Sequence, residues 1–334
     1  MKKSTVIVAG VMIVLALPFL VMLMGRTRPS RAEAKVTLKT VAFNCQDLQN
    51  PFFKLMGDAV RNAAVKIGGP NVKLIMQSGD NDLGKQSAQI DDCIAAGVQI
   101  LVLNACDSAG IAPAVKRAKQ AGMVVIASDV TAAGGVDATM TSDNLQAGAL
   151  VAQYIVERLG GTGSVVAISA DAVSAVLDRK KGFDEVMAKA PGIKVLSDKQ
   201  NGRGRRDLSM DLMTDLLTAY PKIDAVWGVN DPTALGAMLA IRQAKREKQM
   251  FVVGVDGSPD AAKAMGEPES IFAASSAQDP YYMAYHAVEV GWQVLNGKAP
   301  KNPIEIIPVK LITQKEVQAG YAGWAMPDEA KGAP

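Results

Sequence analysis

Histidine is almost absent from this sequence: His286 stands alone among 334 residues. One imidazole, set inside a helical pattern away from any strand end, builds neither a histidine-based catalytic triad nor a histidine-rich metal centre. Cysteine is nearly as scarce. Cys45, Cys93 and Cys106 show no Cys-x-x-Cys spacing, and their odd number leaves at least one thiol outside any intramolecular bridge. Two readings stay open: buried structural thiols, or a bridge between Cys45 and Cys106, both of which fall just past strands expected to be neighbours. Aromatic residues make up only 5% of the chain. That is too few for an aromatic-rich sandwich, whereas abundant Ala, Val, Ile, Leu and Gly suit small buried parallel strands beneath helices.

A concentrated basic surface is missing as well. Of the 36 basic and 33 acidic residues, Lys2, Lys3, Arg26, Arg28, Arg31 and Glu33 fall within the first 34 positions, which leaves the rest of the chain at about −1. A body so balanced offers no global footprint for phosphate contacts, so nucleic acid is not an expected partner. The same first residues carry another signal. Lys2 and Lys3 precede an uncharged, strongly apolar run over 4–25, and Ala32-Glu33-Ala34 offers a small-x-small cleavage site. This reads as export to the periplasm, with residues 1–34 either a cleaved signal peptide or, given the length of the run, an uncleaved membrane anchor. No cysteine lies in or just after the run, which excludes a lipid-anchored cysteine and favours a diderm periplasm.

From residue 39 onward, short β-rich runs alternate with longer amphipathic segments. Strands are expected at 40–45, 72–76, 100–104, 124–127, 138–141, 164–169, 194–197, 225–229, 251–255 and 271–275, with helices such as 51–67, 84–96, 144–159, 178–188, 208–219, 232–244 and 280–295 between them. The alternation predicts an α/β protein with doubly wound parallel sheets and right-handed crossovers. No low-complexity linker divides the two halves, so they must be joined by ordered crossing strands. The stretch after Thr313, with Gly320, Gly323, Pro327 and Gly332, reads as a loosely held end. Gly160-Gly161-Thr162-Gly163 follows a helix and precedes a strand, the reverse of a phosphate-binding loop, and reads as a C-cap and turn. No Walker-type sequence occurs, and no cofactor is implied.

Ligands of open parallel sheets sit at the carboxyl ends of strands. Those ends give Asn50, Phe52 and Phe53; Asn104; Asp129; then Arg179, Asn230, Asp256 and Gln278. Neutral amides, carboxylates and one arginine suit a polyhydroxylated ligand, because each sugar hydroxyl donates and accepts and planar groups can serve two adjacent hydroxyls. Phe52 and Phe53 add an apolar face for a ring's C–H surface. Plainer roles compete. Asn50, Asp231 and Ser258 each precede a proline and could be helix N-caps, a role favoured for Asp231 and Ser258, while Asn50 could do both. Trp227, within a strand, reads as core. A carboxylate pair such as Asp129 and Asp256 leaves a glycoside-acting enzyme as a lesser alternative.

Six motifs in order, Asn50-Pro51-Phe52-Phe53, Thr141-Ser142-Asp143-Asn144, Lys181-Gly182-Phe183, Asn230-Asp231-x-x-Ala234-Leu235-Gly236, Val253-Gly254-x-Asp256-Gly257-Ser258-Pro259-Asp260 and Pro308-Val309-x-Leu311-Ile312-Thr313, make residues 40–313 resemble the ribose-binding protein family of periplasmic solute receptors. The resemblance implies two α/β domains joined by three crossing strands, with the ligand cleft between them. The implied subdomains are 36–142 plus 279–307 and 143–278 plus 308–326, followed by a tail at 327–334. It also implies ligand contacts at Asn50, Phe52, Phe53, Asn104, Asp129, Arg179, Asn230, Asp256 and Gln278, and a role as the sugar-binding component of an importer with a membrane permease and an ATPase. A receptor that presents ligand to a membrane sensor shares the same closure and stays open as an alternative. The sensor domains of lactose-repressor-type regulators share the fold, but a regulator would need a DNA-binding helix pair where this chain has its apolar run. Three departures stand out. Val130 replaces an arginine, Val255 replaces a phenylalanine, and the loop Gln200-Asn201-Gly202-Arg203-Gly204-Arg205-Arg206 lacks a stacking phenylalanine. With those aromatics gone and three arginines present, the preference is expected to shift away from ribose, with a sugar acid or phosphate as a candidate and a neutral sugar still favoured.

Overall fold

Strand β1 (Thr40–Cys45) is buried at every position after Thr40, the signature of a strand covered on both faces. We describe it from a computed structural model that covers residues 36–324. The expected export segment at 1–34 and the tail at 327–334 lie outside the described residues. The chain continues through α1 (Pro51–Gly68), β2 (Lys73–Ser78), α2 (Leu83–Ala95), β3 (Ile100–Leu103), α3 (Ala112–Gln120), β4 (Val124–Ser128) and β5 (Ala138–Ser142). A second run follows: α4 (Asn144–Arg158), β6 (Gly163–Ser169), α5 (Ser174–Met187), β7 (Ile193–Asn201), α6 (Arg206–Ala219), β8 (Ala225–Gly228), α7 (Asp231–Gln243), β9 (Phe251–Asp256), α8 (Pro259–Met265) and β10 (Phe272–Ala277). The last elements are α9 (Pro280–Leu295), β11 (Ile304–Ile307), β12 (Lys310–Thr313) and α10 (Gln314–Gln318).

The strands form two six-stranded sheets of matching order, β11-β5-β4-β3-β1-β2 and β12-β10-β9-β8-β6-β7. All pairings are parallel except that of β12 with β10. Each sheet has a hydrophobic cluster on either face. Phe43, Met56 and Met283 belong to one layer of the first sheet and Leu101, Leu103 and Ile111 to the other; Phe272 and Met213 face Phe183 and Trp227 across the second. Trp227 is fully buried and stacks on Phe183 with ring centroids 4.3 Å apart, the core role expected of it. The chain therefore forms two α/β domains and passes between the sheets after β5, after β10 and again between β11 and β12.

Two features differ from the sequence expectation. Strands β11 and β12 were not among the ten expected, because each has only four residues, of which only one is buried, and gains its order from pairing with a sheet edge. The chain after Thr313 is not a loose end through Trp324. Thr313 and Glu316 form a reciprocal capping box on α10, Tyr321 Oη donates to Gly257 O at 2.6 Å and Trp324 Nε1 donates to Asp256 O at 2.7 Å. Gly323 permits the approach: its φ is 102°, and a Cβ there would lie 2.5 Å from Pro259 Cα.

All three cysteines are free thiols. Cys45 and Cys93 are buried, and burial pushes the Cys93 thiol up to about 11 and that of Cys106 up to about 12. Inert structural thiols, not a Cys45–Cys106 bridge, describe this state.

Candidate functional site

Asp129 and Asp256 hold equivalent places, one at the end of the third strand in each sheet. Both have positive backbone φ, 72° and 131°, a conformation that costs a non-glycine residue about 1–3 kcal/mol and is characteristically kept at functional positions. Both carboxylates are buried and line one cavity of about 1000 Å³ between the sheets' carboxyl ends, the location an open α/β sheet favours.

The first domain contributes α1 to this cavity. Asn50 caps that helix, its side chain accepting from Phe52 N at 3.0 Å, and Pro51 sets the first helical residue. The cap aims Phe52 and Phe53 into the cleft, edge to face with centroids 5.5 Å apart. Asp129 Oδ2 accepts from Asn104 Nδ2 at 2.9 Å, while Oδ1 has no partner within the protein. Burial pushes the Asp129 carboxyl up to about 6, against the opposing pull of Arg179 and the Asn104 hydrogen bond.

The second domain contributes more charge. Arg179 lies inside α5, which begins at Ser174, four residues before the expected start. Its Nε donates to Asn144 Oδ1 at 2.8 Å and its Nη1 to Val229 O at 3.1 Å, with Asp256 Oδ1 3.7 Å from Nη1. Asp256 also accepts from Gln278 Nε2 at 2.8 Å, and Gln278 Oε1 is left without a partner. Burial holds the Asp256 carboxyl well above the usual range; Arg179 opposes this, and the charges of Asp231 and Asp129 reinforce it.

Eight of the nine expected site residues line the cavity: Asn50, Phe52, Phe53, Asp129, Arg179, Asn230, Asp256 and Gln278. Asn104 does not. It is fully buried behind Asp129, with its amide donating to Asp129 Oδ2 and its Oδ1 accepting from Gln46 N, so it orients that carboxylate from beneath. A second correction concerns Asp231, expected as a helix cap. The cap of α7 is Asn230, whose side chain accepts from Thr233 N at 3.0 Å. Asp231 is instead wholly buried and accepts from Ser258 N at 2.7 Å and Ser275 Oγ at 2.6 Å, tying the loops after β8 and β9 to β10. The register slipped because Pro232 occupies the second helical position and not the first. Ser258 does cap α8.

The three arginines of the 200–206 loop also border the cavity, but each already faces an aspartate. Arg203 meets Asp171 at 3.3 Å, Arg205 meets Asp207 at 2.7 Å and Arg206 meets Asp260 at 2.8 Å. The residue that sequence reasoning missed is Trp324, which joins the cavity wall with its ring 5.5 Å from that of Phe52 at 77°. Position in the chain hid it, since no strand end lies nearby. Between the two domains, Ser174 N donates to Ser108 Oγ at 3.2 Å and Thr131 N to Ser174 Oγ at 2.8 Å. Among the described residues no cluster of metal-ligating side chains occurs, and no helix is long and apolar enough to cross a membrane.

Residues 41–299 match the family described as periplasmic binding protein domain. The chain is 32% identical to the ribose import binding protein RbsB of Bacillus subtilis (strain 168), over 83% of this chain and 88% of that one. It is 34% identical to the Escherichia coli (strain K12) protein of the same name, over 80% and 89%. A solved ABC transporter solute binding protein from Bacillus halodurans, with bound myo-inositol, superposes with a TM-score of 0.78 at 26% identity, covering 86% of this chain and 98% of that one. These relatives are solute-binding proteins and not enzymes, which removes the glycoside-acting alternative. With its two matching sheets and a polar cleft at their carboxyl ends, this chain belongs to the periplasmic binding protein family.

Proposed function

We propose that this protein is the exported, periplasmic binding component of an ABC importer for a neutral monosaccharide or related polyol, held between the two domains by Asn50, Phe52, Phe53, Asp129, Arg179, Asn230, Asp256 and Gln278. The observation that carries the reading is a pair of buried acceptors, Asp129 Oδ1 from the first domain and Gln278 Oε1 from the second, both without a partner in the protein and both on residues of one cavity wall. A buried acceptor left unpaired costs about 1–3 kcal/mol, and a ligand rich in hydroxyl donors removes that cost at both. The relatives' names are consistent with this class: ribose import for two of them, xylitol binding for a 30% identical protein of Mycolicibacterium smegmatis.

Charge selects against the anionic candidate. Asp129, Asp231 and Asp256 surround a single buried cation, Arg179, and the loop arginines are already matched by aspartates. The moving bodies in this reading divide at 142/143, 278/279 and 307/308. Contacts to one ligand from both sides stabilise the closed state, because only that state makes all of them.

A thermal-shift screen of pentoses, hexoses, cyclitols and alditols, with calorimetry on the hits, tests the class, since a ligand specific for the folded state raises Tm by mass action. Scattering at saturating ligand should show compaction. No hit among these compounds, or a hit only among sugar acids and phosphates, overturns the reading. Loss of labelled-sugar uptake on gene deletion supports import; intact uptake with loss of a ligand-dependent transcriptional response turns the role to that of a sensor.

A further inference from the structure

At Val255 and in the loop around Gly204, where the resemblance to the ribose-binding family implies a ring, the second domain carries none. Val255 is fully buried in the core beneath the site, and Gly204 has φ 67° with Asn230 Nδ2 3.0 Å from where its Cβ would stand, so neither position presents a flat face to the cavity. Trp324 arrives there by another route. Its indole Nε1–H is bonded to Asp256 O, next to the Asp256 carboxylate of the site. Two supports set that geometry. Tyr321 Oη holds Gly257 O, and Gly323 lets the backbone pass against Pro259.

The ring itself faces the other domain. Trp324 packs against the first domain's hydrophobic cluster and stands at 77° to Phe52, while Phe52 stands at 87° to Phe53. Three rings thus meet at near-right angles around Phe52, on the wall of the same cavity. Such a corner offers two apolar walls. A cyclic sugar or cyclitol presents flat C–H patches to walls of this kind while its hydroxyls reach the carboxylates and amides; an open-chain alditol of the same carbon number has no fixed flat face and loses more rotational freedom on binding.

We propose that Trp324 is a specificity-determining residue of the binding site, the second domain's aromatic wall, which selects cyclic over open-chain polyols. The assignment rests on the sugar-binding reading above. Calorimetry on the full protein and on W324A and W324L, with a pentose, a hexose, myo-inositol and the matching alditols, tests it. Wild type should prefer the cyclic ligand, and both variants should weaken cyclic binding about tenfold to hundredfold while changing alditol binding by less than about threefold. W324L keeps apolar bulk against the first domain, and its unliganded Tm serves as the folding control. Emission provides a second readout. Of the three tryptophans, Trp227 lies in the second core and Trp292 packs on the first, so a ligand-induced change in emission should vanish in W324F even where binding persists. Wild type that binds cyclic ligands with W324A and W324L unchanged, or with cyclic and alditol binding weakened equally, overturns the assignment and leaves the sugar-binding reading standing, as does a wild type that prefers alditols. A wild type that binds nothing in the set overturns both.

Discussion

The two halves of the site are built on equivalent strand ends but are stabilised differently. The first domain gives its one buried carboxylate, Asp129, a neutral amide partner in Asn104, and lines the same cavity with Phe52 and Phe53. The second buries two, Asp231 and Asp256, and sets Arg179 among them. A buried carboxylate tends to hold its proton, and a nearby guanidinium partly compensates its charge. Burial is the main influence on both Asp129 and Asp256 and Arg179 opposes it at both, but only at Asp256 do neighbouring aspartates add to the rise. The difference shows how one repeated framework can set a single buried carboxylate in one domain opposite a denser set of buried charges in the other.

The sharpest way to break the comparison is to remove the cation. Arg179→Ala leaves Asp256 and Asp231 buried without compensation and should destabilise the unliganded protein by about 3–5 kcal/mol, read as a large fall in Tm, with ligand binding lost in calorimetry. Lowering the pH should partly restore that Tm, since protonation relieves the unpaired charge.

Next in size is Asp129→Asn, which should have opposite effects on binding and stability. Asparagine tolerates the left-handed backbone and carries no charge to desolvate, so the unliganded Tm at pH 7.5 should rise while sugar affinity falls by about tenfold to hundredfold, the loss of a charge-assisted hydrogen bond. A fall in unliganded Tm would show that Asp129 stabilises the fold, contrary to the half-site comparison.

The pH profile sharpens the same point. A carboxyl raised from the ordinary value of 3.8 to about 6 in the folded protein binds its proton more tightly there than in the unfolded chain. Its contribution is fully present below the ordinary value and is lost as pH rises through about 6. Unliganded wild type should therefore lose stability as pH rises from about 4 to about 6, and Asp129→Asn should flatten that part of the curve. Equal slopes in the two proteins would assign the pH dependence to other groups.

Smaller effects separate capping from contact. Asn230→Ser retains an acceptor for Thr233 N and should change stability by only a few tenths of a kcal/mol, but it removes the Nδ2 donor and should weaken binding severalfold. The least effect is expected from Arg203→Ala and Arg205→Ala. Both arginines are largely exposed and paired with aspartates, so neutral-sugar affinity should stay within about twofold and be insensitive to salt. A sharp salt-dependent loss would move the specificity of the second half-site toward an anion.

Local patterning made most of the framework legible. The boundaries of β1, α1 and α9 follow from β-branched runs, Asn50-Pro51 and Asp279-Pro280, where cap and proline chemistry act within a few residues. The strand-end residues were legible for the same reason: a parallel sheet presents its carboxyl ends to one side whatever the details of packing. Where tertiary context rules, the sequence was a poorer guide. Asp231 and Asn230 compete for one cap within a single residue of register, and the choice went to the arrangement that lets Asp231 bond Ser258 N after β9 and Ser275 Oγ within β10. Asn104 has the residue type and place of a ligand contact, but its depth behind Asp129 depends on how β3 and β4 pack.

The sequence by itself determined the α/β class, the doubled winding and the polar character of the strand ends, because hydrophobic period, caps and turns are written within a few consecutive residues. Only the tertiary structure decided which carboxylates share Arg179, which acceptors stay unpaired, and that Trp324, some 270 residues beyond Phe52 in the chain, stands beside it in the cleft. Those outcomes depend on burial and on distances between distant segments, which no local pattern encodes.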